Sequence, residues 1–465
     1  MDNVAPLKRI AIVAAVSLAG CLVRPHYERP VVLTEATYID AAAIQENIAD
    51  VPWWDVFKDK DLQALIKTAL ANNRDLKVAI ARIDEARGLL GVARPDQFPR
   101  LDLVGSASRI DPSDAAALPA DVTNDFGLGS RLSFEIDLWG RYASATEAQR
   151  AQLLSTEYAM RAVTISLVAE VSAAYLQLQN IDRQVKISER TLHNRHDATT
   201  VNQQRFKGGY VGLLDVNQAQ IQEEEARAAL VALTRQLRLT ENALSVLLGH
   251  VPYRIKRGSP IVDPLKLVAL PAGVPAMILE RRPDVRASEE LAHAAVMRIG
   301  VARAQQYPAL NLTGFIGLNS RDQSDLFSAD GRTWSIGAGL LGPLVDLGKS
   351  WSRVDAAEAQ ADQALKAYEG TVLKAVREVE DAIVSVRTFK EEHAVRGAQV
   401  SAGKSAAFLS RRRYMDGVTS YLEVLDTERS LFNAELAQSS AMERYLSSMV
   451  QLYRALGGGW PGASQ

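Results

Sequence analysis

Arg205-Phe206-Lys207-Gly208-Gly209 returns 208 residues later as Arg413-Tyr414-Met415-Asp416-Gly417, a basic-aromatic opening that closes on glycine both times. The agreement extends downstream at the same offset, with Leu214-Asp215-Val216 against Leu422-Glu423-Val424 and Leu248-Gly249 against Leu456-Gly457. Upstream, Ala93-Arg94-Pro95-Asp96-Gln97-Phe98-Pro99-Arg100-Leu101-Asp102-Leu103 reads against Ala302-Arg303-Ala304-Gln305-Gln306-Tyr307-Pro308-Ala309-Leu310-Asn311-Leu312, and Asp137-Leu138 against Asp346-Leu347, both 209 residues apart. Landmarks at so constant a spacing make the chain two copies of one unit, at 61–250 and 277–457. A proline-rich linker at 251–276 joins them, and 458–465 forms a tail.

Each copy follows one plan. A helix over Asp61–Arg94 ends near a proline, and two strand-like segments follow. Phe126, Leu128, Leu132, Phe134, Ile136 and Leu138 alternate with Gly127, Gly129, Arg131, Ser133, Glu135 and Asp137. A period of two, apolar on one side and polar on the other, is the pattern of a two-faced strand. Leu310, Leu312, Ile316 and Leu318, then Trp334, Ile336, Ala338 and Leu340, repeat it in the second copy. Polar loops fall at 111–124 and 320–332.

A long helix follows the second strand of each copy. Leu167, Val171, Ala174, Leu178, Ile181, Val185, Ser188 and Leu192 keep alternating steps of four and three, as do Ala361, Leu365, Tyr368, Val372, Ala375, Val379, Ala382, Val386 and Phe389. That spacing is a coiled-coil seam. No proline interrupts 141–206, a helix of roughly 100 Å at 1.5 Å per residue.

The N-terminus gives an address. Lys8 and Arg9 precede an apolar run from Ile10 to Leu18, then Leu18-Ala19-Gly20-Cys21. The run is too short to span a bilayer but suits an export signal over 1–20. The only cysteine of the chain sits at the cut site, the pattern of a bacterial lipoprotein. The mature chain is then expected to begin at Cys21 with covalent lipid on it, residues 21–60 forming the anchor segment, and Leu22 in second place favouring the outer membrane. Composition excludes other classes. A net charge of −2 leaves no nucleic-acid footprint, no phosphate-binding loop occurs, and His193 with His196 lack a third metal ligand. No enzyme, cofactor or metal site is expected.

Four two-faced strands cannot close a barrel, and an open sheet edge cannot sit in lipid, so strands must be pooled from several chains. Long helices with narrow seams need the same neighbours.

The paired-strand, long-helix repeat, with its two glycine-ended motifs, resembles the TolC family of outer-membrane factors, and within it the lipid-anchored OprM/NodT type. Trp53-Trp54 with Phe57, Glu280-Arg281-Arg282-Pro283-Asp284-Val285-Arg286, Tyr421-Leu422-Glu423-Val424-Leu425-Asp426 and Ala455-Leu456-Gly457-Gly458-Gly459-Trp460 carry the likeness over the whole mature chain. The resemblance implies a mainly α fold with a membrane β-barrel: a homotrimer whose twelve-stranded barrel continues into a periplasmic helical barrel. It also implies partners, a periplasmic adaptor (membrane fusion protein) and an inner-membrane RND-type pump, besides outer-membrane lipid. The periplasmic gate matches Leu422 as an apolar constriction and Glu423 and Asp426 as carboxylates. Arg413 and Arg429 are candidates for a latch pairing with carboxylates across chains. Gly208, Gly209, Val211, Gly212 and Leu213, with Gly417, Val418, Thr419 and Ser420, are expected at the tips that meet the adaptor. The function expected is passive efflux of small molecules. A type I protein-secretion channel is the near alternative and a pore-free coiled-coil scaffold the distant one.

Overall fold

The structure is a computed structural model that describes residues 23, 25–30, 59–111, 122–258 and 281–458. Cys21, Trp53-Trp54 with Phe57, most of the linker, Glu280 and the chain beyond Gly458 lie outside the described residues. The helices are α1 (Lys60–Asn72), α2 (Arg74–Ala93), α3 (Arg141–Lys207), α4 (Leu213–Leu247), α5 (Pro283–Ala304), α6 (Lys349–Met415) and α7 (Tyr421–Ala455). The strands are β1 (Arg100–Ile110), β2 (Thr123–Ile136), β3 (Ala309–Ser320) and β4 (Arg332–Leu341). The chain falls into two compact units, one of 1–31, 81–157 and 287–370, the other of 32–80, 158–286 and 371–465.

The repeat is metrically tight. α3 and α6 each run 67 residues, α4 and α7 each run 35, and their starts lie 208 apart. Three pairs of glycines with positive φ keep that offset: Gly140 with Gly348, Gly209 with Gly417, and Gly249 with Gly457. These are chain reversals and helix ends, where a residue without Cβ adopts the left-handed region at least cost. The Asp137 and Asp346 landmarks do not share it. They lie 209 apart, so Asp346 stands one residue nearer its helix, where its carboxylate accepts from the Ser350 N–H at 2.9 Å.

In the first unit, β1-β2-β3-β4 form an antiparallel meander in which β2 pairs with β3 and so joins the two copies. Register puts Leu132 opposite Leu101 and Gly314, and Ile316 opposite Ser130 and Trp334, so the apolar positions of all four strands share one face. That face is exposed, with Leu103, Ile316, Trp334 and Ile336 all open. Phe315, on the other face, lies across Gly129 and Gly317, where a Cβ would meet its ring at 2.7 and 2.9 Å. Among the described residues β1 and β4 pair on one side only.

The same unit holds the described segment at 25–30. Tyr27 stacks on His293 with ring centroids 4.7 Å apart, and Arg29 binds Glu289 at 2.8 Å. Pro25 comes so near Gly300 that a Cβ there would lie 2.9 Å from it. The segment therefore runs antiparallel to α5, its N-terminal end towards the start of β3.

In the second unit the seam forms the core, with Val171, Leu178, Ile181, Val372, Ala375 and Val379 buried. One expectation fails there. The helix read as continuous over 61–94 breaks at Asn73. The buried Asn73 side chain accepts from the Leu76 N–H at 2.9 Å, capping α2, and donates to the Leu247 carbonyl at 2.9 Å. Asparagine competes with the helix backbone in this way, and the long-range partner fixes the break.

Candidate functional site at the helix tips

α3 and α6 end in the same device. Gly209 N–H donates to the Phe206 carbonyl and Tyr210 N–H to that of Arg205, each at 2.9 Å. Gly417 N–H and Val418 N–H repeat this on Tyr414 and Arg413 at 3.1 and 2.9 Å. Both are glycine-closed helix ends with a 6→1 bond that satisfies the last carbonyls. Gly212 and Ser420 then stand as extended caps before α4 and α7. Of the tip residues, Gly208, Gly209, Gly212, Leu213, Gly417, Val418 and Ser420 are exposed, while Val211 and Thr419 are half-buried. Leu213, Leu214, Val418 and Leu422 remain more than half open, an apolar display with no cover among the described residues.

Behind the tips lies a small aromatic core. Tyr421, Val424 and Leu425 of α7 pack with Ala219 of α4 and with Tyr414. Tyr414 meets the Tyr421 ring at 5.2 Å, donates its hydroxyl to Asn202 at 3.0 Å and lies under the Arg205 guanidinium at 5.1 Å. The two tips are thus tied to each other through Tyr414. Burial pushes the Tyr421 hydroxyl up to about 12. The sequence reading missed this core, although the spacing of 421, 424 and 425 in the quoted motif marks a buried helix face.

With Tyr421, Val424 and Leu425 facing inward, Leu422, Asp426 and Arg429 fall in one exposed stripe, at steps of four and three. Glu423 is exposed beside them. The structure brings each candidate arginine to a candidate carboxylate within the chain. Arg429 donates to Asp426 at 2.8 Å, and Arg413 stands 3.6 Å from Glu423, which also accepts from the Thr419 hydroxyl. Four exposed charged side chains form two pairs that contribute about 0–1 kcal/mol each, so they cost little to rearrange. Chemically the stripe offers an apolar side chain beside two carboxylates, each balanced by an arginine, so it attracts cations only where those arginines swing away.

Further along the helices, His196 Nδ1 lies 3.0 Å from Glu223, and His193 Nε2 lies 3.6 Å from Asp197. The two histidines address different acids. Burial opposes the charge on Glu223, but hydrogen bonds from His196 and Thr199 and the nearby His196 and Arg227 charges hold its carboxyl below the ordinary range. Arg195, buried beside it, donates to the Gln222 carbonyl at 2.6 Å and lies over the Phe432 ring.

Known proteins resemble the chain as a whole. The model of the outer membrane efflux protein family matches residues 65–250 and 274–458. The outer membrane protein OprJ of Pseudomonas aeruginosa is 35% identical over 97% of this chain and 95% of its own. The cation efflux system protein CusC of Escherichia coli is 32% identical over 98% and 99%. Among solved structures, the open state of the Neisseria gonorrhoeae MtrE outer membrane channel aligns at a TM-score of 0.87 and 29% identity, over 96% of this chain and all of that one. Matched in both halves and nearly end to end, this chain belongs to the outer membrane efflux protein family.

Proposed function

We propose that three copies close their sheets into one barrel in the outer membrane, continued by their helices as a periplasmic tube, and that this assembly is the passive exit duct of a tripartite efflux system. Small molecules enter from an inner-membrane RND-type pump through a periplasmic adaptor seated on the tips. The carrying observation is the four-stranded meander, apolar on one face and unpaired at both edges among the described residues. Such a sheet is stable in lipid only when closed by further strands.

Three finer readings belong to this proposal. Cys21 carries the lipid, a reading supported by Leu18-Ala19-Gly20-Cys21 at the end of an export signal. The exposed Leu213, Leu214 and Val418 receive the adaptor, since an open apolar patch rimmed by polar residues suits a protein partner. Leu422, Glu423 and Asp426 narrow the periplasmic end, with Arg413 and Arg429 holding the carboxylates at rest. Efflux is favoured over protein secretion by the lipobox.

The test is retention of a fluorescent pump substrate in cells lacking this chain. Wild type should restore export, and Leu213→Asp with Val418→Asp should fail to restore it at equal abundance in the outer membrane. Equal retention with and without the chain would overturn the reading.

A further inference from the structure

The internal repeat predicts how the sheet edges meet between copies. β1 maps onto β3 at an offset of 209 and β2 onto β4 at 208, and each offset preserves which residues share the apolar face. Applied to the pairing Arg100↔Ser133, these offsets return Ala309↔Leu341, and Leu101↔Leu132 returns Leu310↔Leu340. Both are observed pairings, so the two hairpins have one register. The junction between the hairpins, β2 with β3, lies inside the chain and its register is known. The remaining junction, β4 with β1, has no partner among the described residues, because three inter-strand spacings separate those strands within one sheet.

We propose that β4 pairs antiparallel with β1 of the partner subunit in the register copied from β2–β3, resting on the reading that copies close into a ring. Arg131↔Phe315 then becomes Gly339 opposite Ser106 of the partner subunit, and Ser130↔Ile316 becomes Ala338 opposite Ala107 of the partner subunit. The alternation holds across the seam, Ala338 and Ala107 lying on the apolar face and Gly339 and Ser106 on the polar one. A slip of one residue would invert it.

A second observation agrees. Inside the chain, Trp139 of the β2–α3 turn stacks on Tyr307 at 4.6 Å and donates its indole N–H to the Pro308 carbonyl at 2.8 Å. The same offsets carry this contact to Leu347 against Phe98 of the partner subunit, followed by Pro99 of the partner subunit. Leu347 is 99% exposed and Phe98 61% exposed in the single chain. Leu347 is also the one described non-glycine residue with positive φ, at 51°. Covering Leu347 with an aromatic ring accounts for its exposure in the single chain.

The experiment is disulfide trapping in full-length protein in the outer membrane. Directly opposite Cα atoms stand about 4.5–5.5 Å apart in either type of antiparallel pair, within disulfide reach. Gly339→Cys with Ser106→Cys, and Ala338→Cys with Ala107→Cys, should each give covalent dimers and trimers on oxidation. Within one chain three inter-strand spacings alone put the two strands about 14 Å apart, and the sites are displaced along them as well, so only copies can be bridged. A Cβ at Gly339 meets nothing within 4 Å, so the substitution is sterically free. Slipped pairs, Gly339→Cys with Ser108→Cys or with Val104→Cys, should bridge about tenfold less, because diagonal neighbours lie about 7–8 Å apart. Preferential bridging of a slipped pair overturns this register while leaving the ring. Dimers from Gly339→Cys alone would mean that β4 meets β4. No bridging by any pair, with a trimeric native mass, overturns the inference alone, whereas a monomeric mass overturns the proposed assembly.

Discussion

Asp426 accepts a 2.8 Å hydrogen bond from Arg429, less than one turn along the same helix, so the carboxylate of the exposed stripe is neutralised within its own chain. Glu423 and Arg413 form a longer pair beside it. Replacing both acids, Glu423→Ser with Asp426→Ser, should raise single-channel conductance severalfold in planar bilayers and weaken cation preference. Unfolding midpoints should move little, since exposed pairs contribute about 0–1 kcal/mol. Unchanged conductance and unchanged ion preference would remove the gate assignment.

Lipid attachment has a direct chemical readout. Cys21→Ser should abolish metabolic labelling with palmitate, because no other cysteine exists in the chain. Labelling that survives the substitution would place the acyl group elsewhere.

Arg282 ties three elements together. It is 6% exposed, binds Asp284 at 2.6 Å and Glu378 at 2.8 Å, and donates to the Ala455 carbonyl at the end of α7. Burial opposes its charge, and the two carboxylates more than offset that. Arg282→Ala leaves the buried Ala455 carbonyl without its donor and removes the partner of two partly exposed carboxylates, so it should cost about 1–3 kcal/mol. Chemical denaturation with the fold monitored by circular dichroism measures this, and a loss under about 1 kcal/mol would refute the role.

The Glu241 carboxylate sets an acid limit. It is 3% exposed and accepts from Arg238 and Arg257, both at 2.7 Å, while Arg257 also grips Asp182. Burial opposes its ionisation, but the two guanidinium groups hold its carboxyl below the ordinary glutamate range. A carboxylate with a depressed folded pKa stabilises fully above its unfolded value, near 4.3, and the contribution disappears as pH falls through the folded value. Glu241→Gln should therefore destabilise at pH 7, and its deficit against wild type should shrink progressively as the pH falls below about 4. A deficit constant from pH 7 to pH 3 would contradict the pairing.

How much of this was legible in the sequence depended on whether the partner was local. The 208-residue offset located both long helices and both glycine-closed tips, since helix ends are signalled by residues within one turn. The strand faces followed from alternation for the same reason. The break at Asn73 was missed because asparagine is tolerated in helices, and its deciding partner, the Leu247 carbonyl, is 174 residues away. Arg282 stood in a quoted motif, but its target at Ala455 is 173 residues distant, and spacing says nothing of that. Within the chain Arg429 pairs with Asp426 three residues upstream, a contact that helical spacing alone allows.

The central claim is that one chain is a third of a closed duct. Native mass spectrometry of the detergent-solubilised protein measures this most directly. The account predicts a complex of three mature chains that forms pores in planar bilayers. A single chain or a dimer as the dominant species would contradict it.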